Sequence, residues 1–467
     1  MGVGGRAGRR GGLLGCALLL LGCAVRPSGP PPSLMPPALP PPARPTPAPS
    51  FDLEARSTPD STLDSTPRPL ADTAANPPAD PPADPPADPP ADTIELSFVG
   101  DIIFGHYFSR GYVRHRRKGE EPLAAVKPLL AADLVVANLE TPLGRQLPAR
   151  SPVNSRYRFG AEAAAVQVLR QGGIGAVTLS NNHAADLKLP GLIDTPAILR
   201  EQGIVPLGEA RRPCDGPAII VQTIEVRGVR IGIIALSTQL NVPLPVGATI
   251  PRVPVVADTT AIRRTVGPLL AAARAQHDLL AVLLHWGTQF TEQPSTPQRR
   301  AAHALIEDGA DLVIGHHPHV LQGVERYRHG VIAYSLGNFL FPDATGAPRL
   351  TGALRLRYQR ALRRIDHVQF RPAVAQVAPH HSVAPVPATG RTGEAVRARM
   401  QRLSAGLGTR FQVIDDYLDL PLPAPTPDVP PRPYEERPAQ VALRESRKNA
   451  ASGPLPRTLI SPRASKQ

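Results

Sequence analysis

The sequence predicts an α/β protein, and three observations carry that prediction. Short apolar, β-branched runs alternate with Ala- and Leu-rich helical stretches. Several of the runs stop abruptly on residues of metal-ligand type, which packing alone does not explain and which reads as the working edge of an α/β hydrolase. The 58 Pro of the 467 residues crowd the two ends of the chain, where the missing N–H and fixed φ rule out sheet and long helix. One large domain, with a small appendage at most, is left for roughly Thr93 to Leu420.

The chain opens on a targeting pattern. Arg6, Arg9 and Arg10 precede an apolar stretch, Gly11 to Leu21, too short for a comfortable membrane span. It ends in Leu20-Leu21-Gly22-Cys23, which resembles a bacterial lipobox, so residues 1–22 are expected to be a lipoprotein signal and Cys23 the lipidated residue. Ala24 carries no inner-membrane retention signal, so the expected location is the cell envelope, periplasmic or outer face, through a lipid anchor. Residues 23–92 form a tether with four Pro-Pro-Ala-Asp units from Pro77 to Asp92. Such sequence favours polyproline II and gives a reach on the order of 100–200 Å. Of the 3 Cys, processing would leave only Cys214 beside the lipidated one, so no disulfide framework holds the fold.

Within the core, Ile94–Val99, Leu134–Ala137 and Ala176–Leu179 read as strands. Leu123–Ala132, Ala161–Gln171 and Leu192–Gln202 read as helices between and after them. Ala218–Val226 and Val229–Leu236 read as a hairpin about Arg227-Gly228. Thr259–Ala275 and Gln298–Asp308 are helical, with strands Leu279–Leu284 and Leu312–Ile314. Val331–Tyr334, Gly352–Tyr358 and Val368–Val374 read as later antiparallel strands, and Thr392–Ala405 as a closing helix with Arg397, Arg399 and Arg402 outward. Residues 93–345 are thus expected to form the core, 346–420 to complete it, and 421–467 to be a disordered tail.

Five strand ends carry the chemistry. Gly100-Asp101, Asn138-Leu139-Glu140, Ser180-Asn181-Asn182-His183 with Asp186, His285, and Gly315-His316-His317-Pro318-His319 each follow an apolar run. In open α/β sheets sites form past the carboxyl ends of the strands, so these groups would meet in one cleft. Asp101, Glu140, Asn182, His285, His317 and His319 offer hard oxygen and imidazole ligands without a thiolate. That set suits one or two divalent ions, Mn, Fe or Zn. Pro318 pushes His317 toward extended backbone, where side chains two apart point the same way, so both His317 and His319 would reach the metal and His316 would point away. A pair of such ions supports in-line displacement at phosphorus. His183 would act as general acid or substrate clamp, with Asp186 orienting its ring. Asn138, Asn181, Trp286 and Asn338 flank these groups and are expected to bind substrate. Each piece alone has a blander reading as a turn, a cap or a buried His, and His303, His329 and His380-His381 read as incidental.

Other classes fit poorly. Ser180 lacks a nucleophile elbow, Cys214 has no paired His in view, and no Walker loop or dinucleotide fingerprint occurs. The charge of +13 comes with only 4% aromatic residues and no basic stripe, so nucleic acid is not an expected partner.

At these residues the sequence resembles the CapA family of poly-γ-glutamate capsule synthesis proteins. The matching stretches are Phe98 to Gly105, Ala137 to Leu143, Leu179 to His183 with Asp186, His285-Trp286-Gly287, Gly309 to Gln322, and Tyr334 to Phe339. The resemblance implies a calcineurin-like metallophosphoesterase fold, a four-layer α/β/β/α sandwich. It also implies a role in capsule-type polymer synthesis, with an anionic envelope polymer or a polymer synthase complex as partner. It assigns the six ligands above to metal and His183 to catalysis. Two departures from the wider phosphoesterase pattern stand out: Ile103 sits where a His usually follows the first Asp, and Asn138-Leu139-Glu140 replaces the usual second Asp motif. The function expected is a metal-dependent hydrolase or transferase, at a phosphoester or a γ-glutamyl amide. The alternative is a non-catalytic, polymer-binding envelope scaffold.

Overall fold

The computed structural model describes residues 93–422, save 109–110, 115–119, 155–156, 209–218, 244–253, 257, 343–344 and 378–382. The expected lipoprotein signal and tether (residues 1–92, with Cys23), Cys214, His380-His381 and the residues beyond 422 lie outside the described residues.

Two sheets form the centre. In the first, Thr93–Ile102, Leu134–Leu139, Ala176–Thr178 and Val205–Leu207 run parallel side by side. Leu350–Gln359 joins Thr93–Ile102 antiparallel, followed by Arg364–Val377 and Tyr417–Pro421. In the second, Val229–Ser237, Leu279–His285, Leu312–His316 and Gly330–Ala333 run parallel, with Gln222–Val226 and Val324–Tyr327 antiparallel at the edges. The sequence reading placed Val331–Tyr334 among antiparallel strands; here Gly330–Ala333 lies parallel to Leu312–His316, and only its edge partner Val324–Tyr327 is antiparallel.

Three cores show the layering. Ile94, Leu96 and Phe98 from the first sheet pack with Ile231, Leu283 and Ile314 from the second in the central core. The outer face of the first sheet meets the helical segments through Val135, Val177, Leu169 and Ile198. The outer face of the second meets helices Thr259–Ala273 and Thr296–Glu307 through Val282, Val313, Val266 and Leu305. Strands covered on both faces must be apolar throughout, and Leu279–His285 is buried at every residue. The architecture is therefore an α/β/β/α sandwich.

Local chemistry fixes the elements. Arg227 and Gly228, at φ +48° and +81°, make the tight turn that a two-residue hairpin demands. Ser295 and Gln298 form a capping box on Thr296–Glu307, with Pro297 in its first turn. The expected helix Leu123–Ala132 is shorter: a 3-10 turn, Ala124–Val126, then one α turn, Lys127–Leu130. Likewise only Val166–Gln171 of Ala161–Gln171 is α-helical, after a two-residue strand and a 3-10 turn. On the closing helix Gly390–Ala405, Arg399 is not outward: it is largely buried and, with Arg402, pairs with Glu292.

Candidate metal centre

The parallel strands of both sheets end on the same side, and the groups expected from sequence meet there. Asp101 and Glu140 come from the first sheet and His285, His317 and His319 from the second; all are buried, the two carboxylates fully. Asp101 reaches its place because Gly100 has no side chain. A Cβ there would lie 1.9 Å from the Gly337 oxygen, which instead accepts from Asp101 N at 2.9 Å.

His285 is the hub. Its Nε2 lies 2.7 Å from Asn182 Oδ1, 3.0 Å from His317 Nδ1 and 3.6 Å from Glu140 Oε1. His319 Nε2 lies 3.9 Å from the same Glu140 oxygen, while its Nδ1 lies 3.2 Å from Asp101 Oδ2 and 2.9 Å from Asn338 Oδ1. Ligand atoms of Glu140, His317 and His319 all fall within 4.8 Å of one another, a group that could hold a metal ion. The two histidines converge for a different reason than the one expected. Neither is extended: His317 has φ +96° and His319 φ +57°, so two left-handed bends aim the rings rather than strand alternation. His316 turns away to the Val99 carbonyl, 3.3 Å from Nε2.

The electrostatics sort these groups. Burial drives His285 well below its ordinary pKa, assisted by the neighbouring imidazoles, and takes His317 down to about 3. Both are neutral at pH 7, the form that ligates. Burial also disfavours charge on His319, but Glu140 and Asp101 outweigh it and raise the ring to about 9. Asp101, raised by burial, is lowered overall by His319 and the Asn138 amide. Burial pushes Glu140 up to about 8, and neither of its oxygens has a hydrogen-bond partner among the described residues. A fully buried carboxyl with no donor is costly, and a divalent cation is the counter-charge that would remove the cost. The donor set therefore fits a divalent ion.

His183 stands beside this group. Asp186 Oδ2 lies 2.7 Å from His183 Nδ1 and accepts from Phe159 N at 2.7 Å; the Phe159 ring packs on the imidazole at 4.0 Å. A cleft of about 250 Å³ opens here, walled by Tyr157, Phe159, Phe290 and Phe341 with His183 and His319 at its floor.

The expected substrate contacts divide. Asn338 lines the cleft. Asn138 and Asn181 are fully buried and brace Asp101: Asn138 Nδ2 donates to Asp101 Oδ1 at 2.8 Å, and Asn181 Nδ2 to Asn138 Oδ1 at 3.1 Å. Trp286 is a correction. Its side chain points into the outer core, stacks on Tyr334 and donates to the Tyr334 carbonyl at 3.2 Å, so substrate has no access to it. Sequence reasoning missed Gln239, 2.5 Å from His317 Nε2. It also missed Asn241, whose Nδ2 lies 3.2 Å from His183 Nε2 and whose Oδ1 accepts from Asn182 Nδ2 at 3.2 Å. Both follow Val229–Ser237, a sixth strand ending at the site, and that position was the available signal.

Residues 95–343 match the profile described as "Bacterial capsule synthesis protein PGA_cap". The PGA biosynthesis protein CapA of Bacillus subtilis (strain 168) is 30% identical over 249 residues, 53% of this chain and 63% of that protein. Capsule biosynthesis protein CapA of Bacillus anthracis is 28% identical over 250 residues, 53% of this chain and 60% of that one. A probable polyglutamine synthesis accessory protein of Mycobacterium tuberculosis is 29% identical over 276 residues, 53% of this chain and 70% of that one. The chain thus spans less than two thirds of the length of the two Bacillus relatives. Among solved structures, a putative 5′-nucleotidase from Staphylococcus aureus aligns with a TM-score of 0.35 at 14% identity, covering 68% of this chain and 58% of that one. A hypothetical protein from Thermus thermophilus aligns at 0.32 and 17%, covering 62% and 98%. Scores that low add nothing to what the two sheets display. The profile match, which covers more than half of the chain and contains every strand-end group described above, settles the relationship: this chain belongs to the bacterial capsule synthesis protein PGA_cap family.

Proposed function

We propose that the chain is a metal-dependent hydrolase or transferase of the cell envelope, acting on a phosphorylated intermediate or a linkage of a polyglutamate-type capsule polymer. One observation carries the reading: Glu140, fully buried, with both oxygens unpartnered among the described residues and three imidazoles around it. Glu140, His317 and His319 would hold the ion, with Asp101, Asn182 and His285 completing the set for one or two ions of Mn, Fe or Zn. A bound divalent ion there supplies Lewis-acid polarisation and counter-charge for an anionic reacting group. The chain's own residues do the rest. Asp186 holds His183 Nδ1, which leaves Nε2 to pass a proton to a leaving oxygen in the cleft. Asn241 Nδ2 can donate to that nitrogen once the proton has left it, and Phe159 packs on the ring.

The relatives' names, which refer to PGA, capsule and polyglutamine synthesis, support the polymer assignment. The Leu20-Leu21-Gly22-Cys23 stretch supports a lipid anchor at Cys23, hence a membrane-anchored position in the envelope, with the polymer or its synthase complex as partner. A second reading, a non-catalytic scaffold, is favoured by Ile103, which is buried at the position where phosphoesterases carry a further His.

The test is metal analysis with bis-nitrophenyl phosphate turnover under Mn²⁺, Co²⁺ and Zn²⁺. Bound metal and turnover, both lost in Glu140→Gln, are expected. Absence of both from the wild type sinks the enzyme. Intact polymer in cells carrying His183→Ala establishes the scaffold instead.

A further inference from the structure

The cleft beside the metal group has a composition that narrows the substrate. The chain carries 52 Lys+Arg and a charge of +13, yet none of the described lining residues is Lys, Arg, Asp or Glu. Aromatic residues make up only 4% of the chain, yet Tyr157, Phe159, Phe290 and Phe341 converge here. They reach the reacting end: Phe341 lies 4.9 Å and Phe290 6.1 Å from the His319 ring, and Phe159 4.0 Å from His183.

Phe290 is the most telling. It is 62% exposed and sits at φ +60°, a conformation a bulky side chain adopts only when its surroundings impose it. The surroundings do impose it. Phe290 N donates to Pro318 O at 2.7 Å, Gln322 Nε2 donates to Thr291 O at 2.7 Å, and Glu292 is clamped by Arg399 and Arg402 at 2.7 and 3.1 Å. The backbone thus holds an exposed apolar ring on the lining of the cleft, with Tyr157, 43% exposed, also on its wall. Away from the metal group, a run of γ-linked glutamates would bring a carboxylate per residue against aromatic walls that carry no Lys or Arg to pair with it, an arrangement that costs binding.

We propose that this cleft receives an uncharged ring, a nucleobase or a pyranose, borne by a phosphorylated small molecule whose phosphate sits at the metal group. The ring's flat face lies among Tyr157, Phe159, Phe290 and Phe341. The assignment rests on the hydrolase reading above and adds to it the substrate class.

The test uses the full chain loaded with Mn²⁺ and titrated calorimetrically with inorganic phosphate, adenosine monophosphate, a hexose phosphate and tri-γ-glutamate. At least one ring-bearing phosphate binds about tenfold tighter than inorganic phosphate, the increment expected of aromatic stacking. Whichever of the two it is identifies the ring as nucleobase or pyranose. Phe290→Ala and Tyr157→Ala each lose most of that increment. Equal affinity for all the phosphates, or tighter binding of tri-γ-glutamate, overturns the proposal. Bound metal and bis-nitrophenyl phosphate turnover are measured on the same sample. If both persist without a ring preference, the ring assignment alone falls; if both are missing, the hydrolase reading falls and takes it along.

Discussion

Replacing Asp186 by Asn and by Ala separates its two jobs. One carboxylate oxygen, Oδ2, meets both His183 Nδ1 and Phe159 N at 2.7 Å, and the residue is 1% exposed. Hydrogen bonds to a charged acceptor contribute roughly 1.5–3 kcal/mol each. Asp186→Ala removes two and leaves the buried Phe159 N–H without its acceptor, so a loss of about 3–5 kcal/mol is expected. Asp186→Asn keeps one carbonyl oxygen for these donors but loses the charge, and its amide places donors in a pocket already supplied with them. Its cost is about 1–3 kcal/mol. The ring of His183 then loses the partner that fixes its tautomer, and turnover of bis-nitrophenyl phosphate falls by roughly 10²–10⁴-fold. The residue is outside the metal set, so bound metal stays unchanged. Urea denaturation, metal analysis and steady-state kinetics read the three quantities. An Asn variant with wild-type turnover and wild-type metal content refutes the role given to the pair. An Ala variant that loses less than about 1 kcal/mol refutes the geometry.

Three further outcomes are expected. Gly100→Ala forces a methyl to within 1.9 Å of the Gly337 oxygen, so the strand end that carries Asp101 must shift. The expected result is a loss of about 3 kcal/mol together with reduced metal content, seen in urea titration and metal analysis. Ser295→Ala removes the capping box of helix Thr296–Glu307 and costs about 1 kcal/mol in urea titration without touching turnover. For Asp366, burial raises the carboxyl pKa, but the paired Arg357 guanidinium, at 2.8 and 2.9 Å, lowers it overall. A carboxyl depressed in the folded state contributes stability above its unfolded pKa and loses it as pH falls through the lower folded value. Stability should therefore decline on the acid side below the ordinary value of 3.8, and Asp366→Asn should flatten that decline in urea titrations across pH.

Much of the site was legible because buried parallel strands must be apolar along their whole length. A polar residue that ends such a run, as Asp101, Asn138 and His285 do, stands out against Ile94–Val99, Leu134–Ala137 and Leu279–Leu284. The short edge strand Val324–Tyr327 carries Glu325 and Arg326, has no such contrast, and escaped notice. So did Gln239 and Asn241: a Gln and an Asn after a strand look like any turn until the imidazoles they touch are in place. Trp286 misled for the opposite reason. It follows His285 in sequence, but adjacent strand residues face opposite ways, which puts its indole in the outer core.

From the sequence alone came the α/β class, the strand ends that bear chemistry, and the family. Periodicity and residue type are local properties, and six ligand-type side chains on apolar runs are too specific a pattern for packing to produce. Only the tertiary structure decided which of them face one another. The left-handed bends at His317 and His319, the bare Gly100 against Gly337, and the stranded carboxylate of Glu140 all depend on the meeting of two sheets whose strands are far apart in the chain. Distances and desolvation belong to that meeting, and no local stretch of residues encodes them.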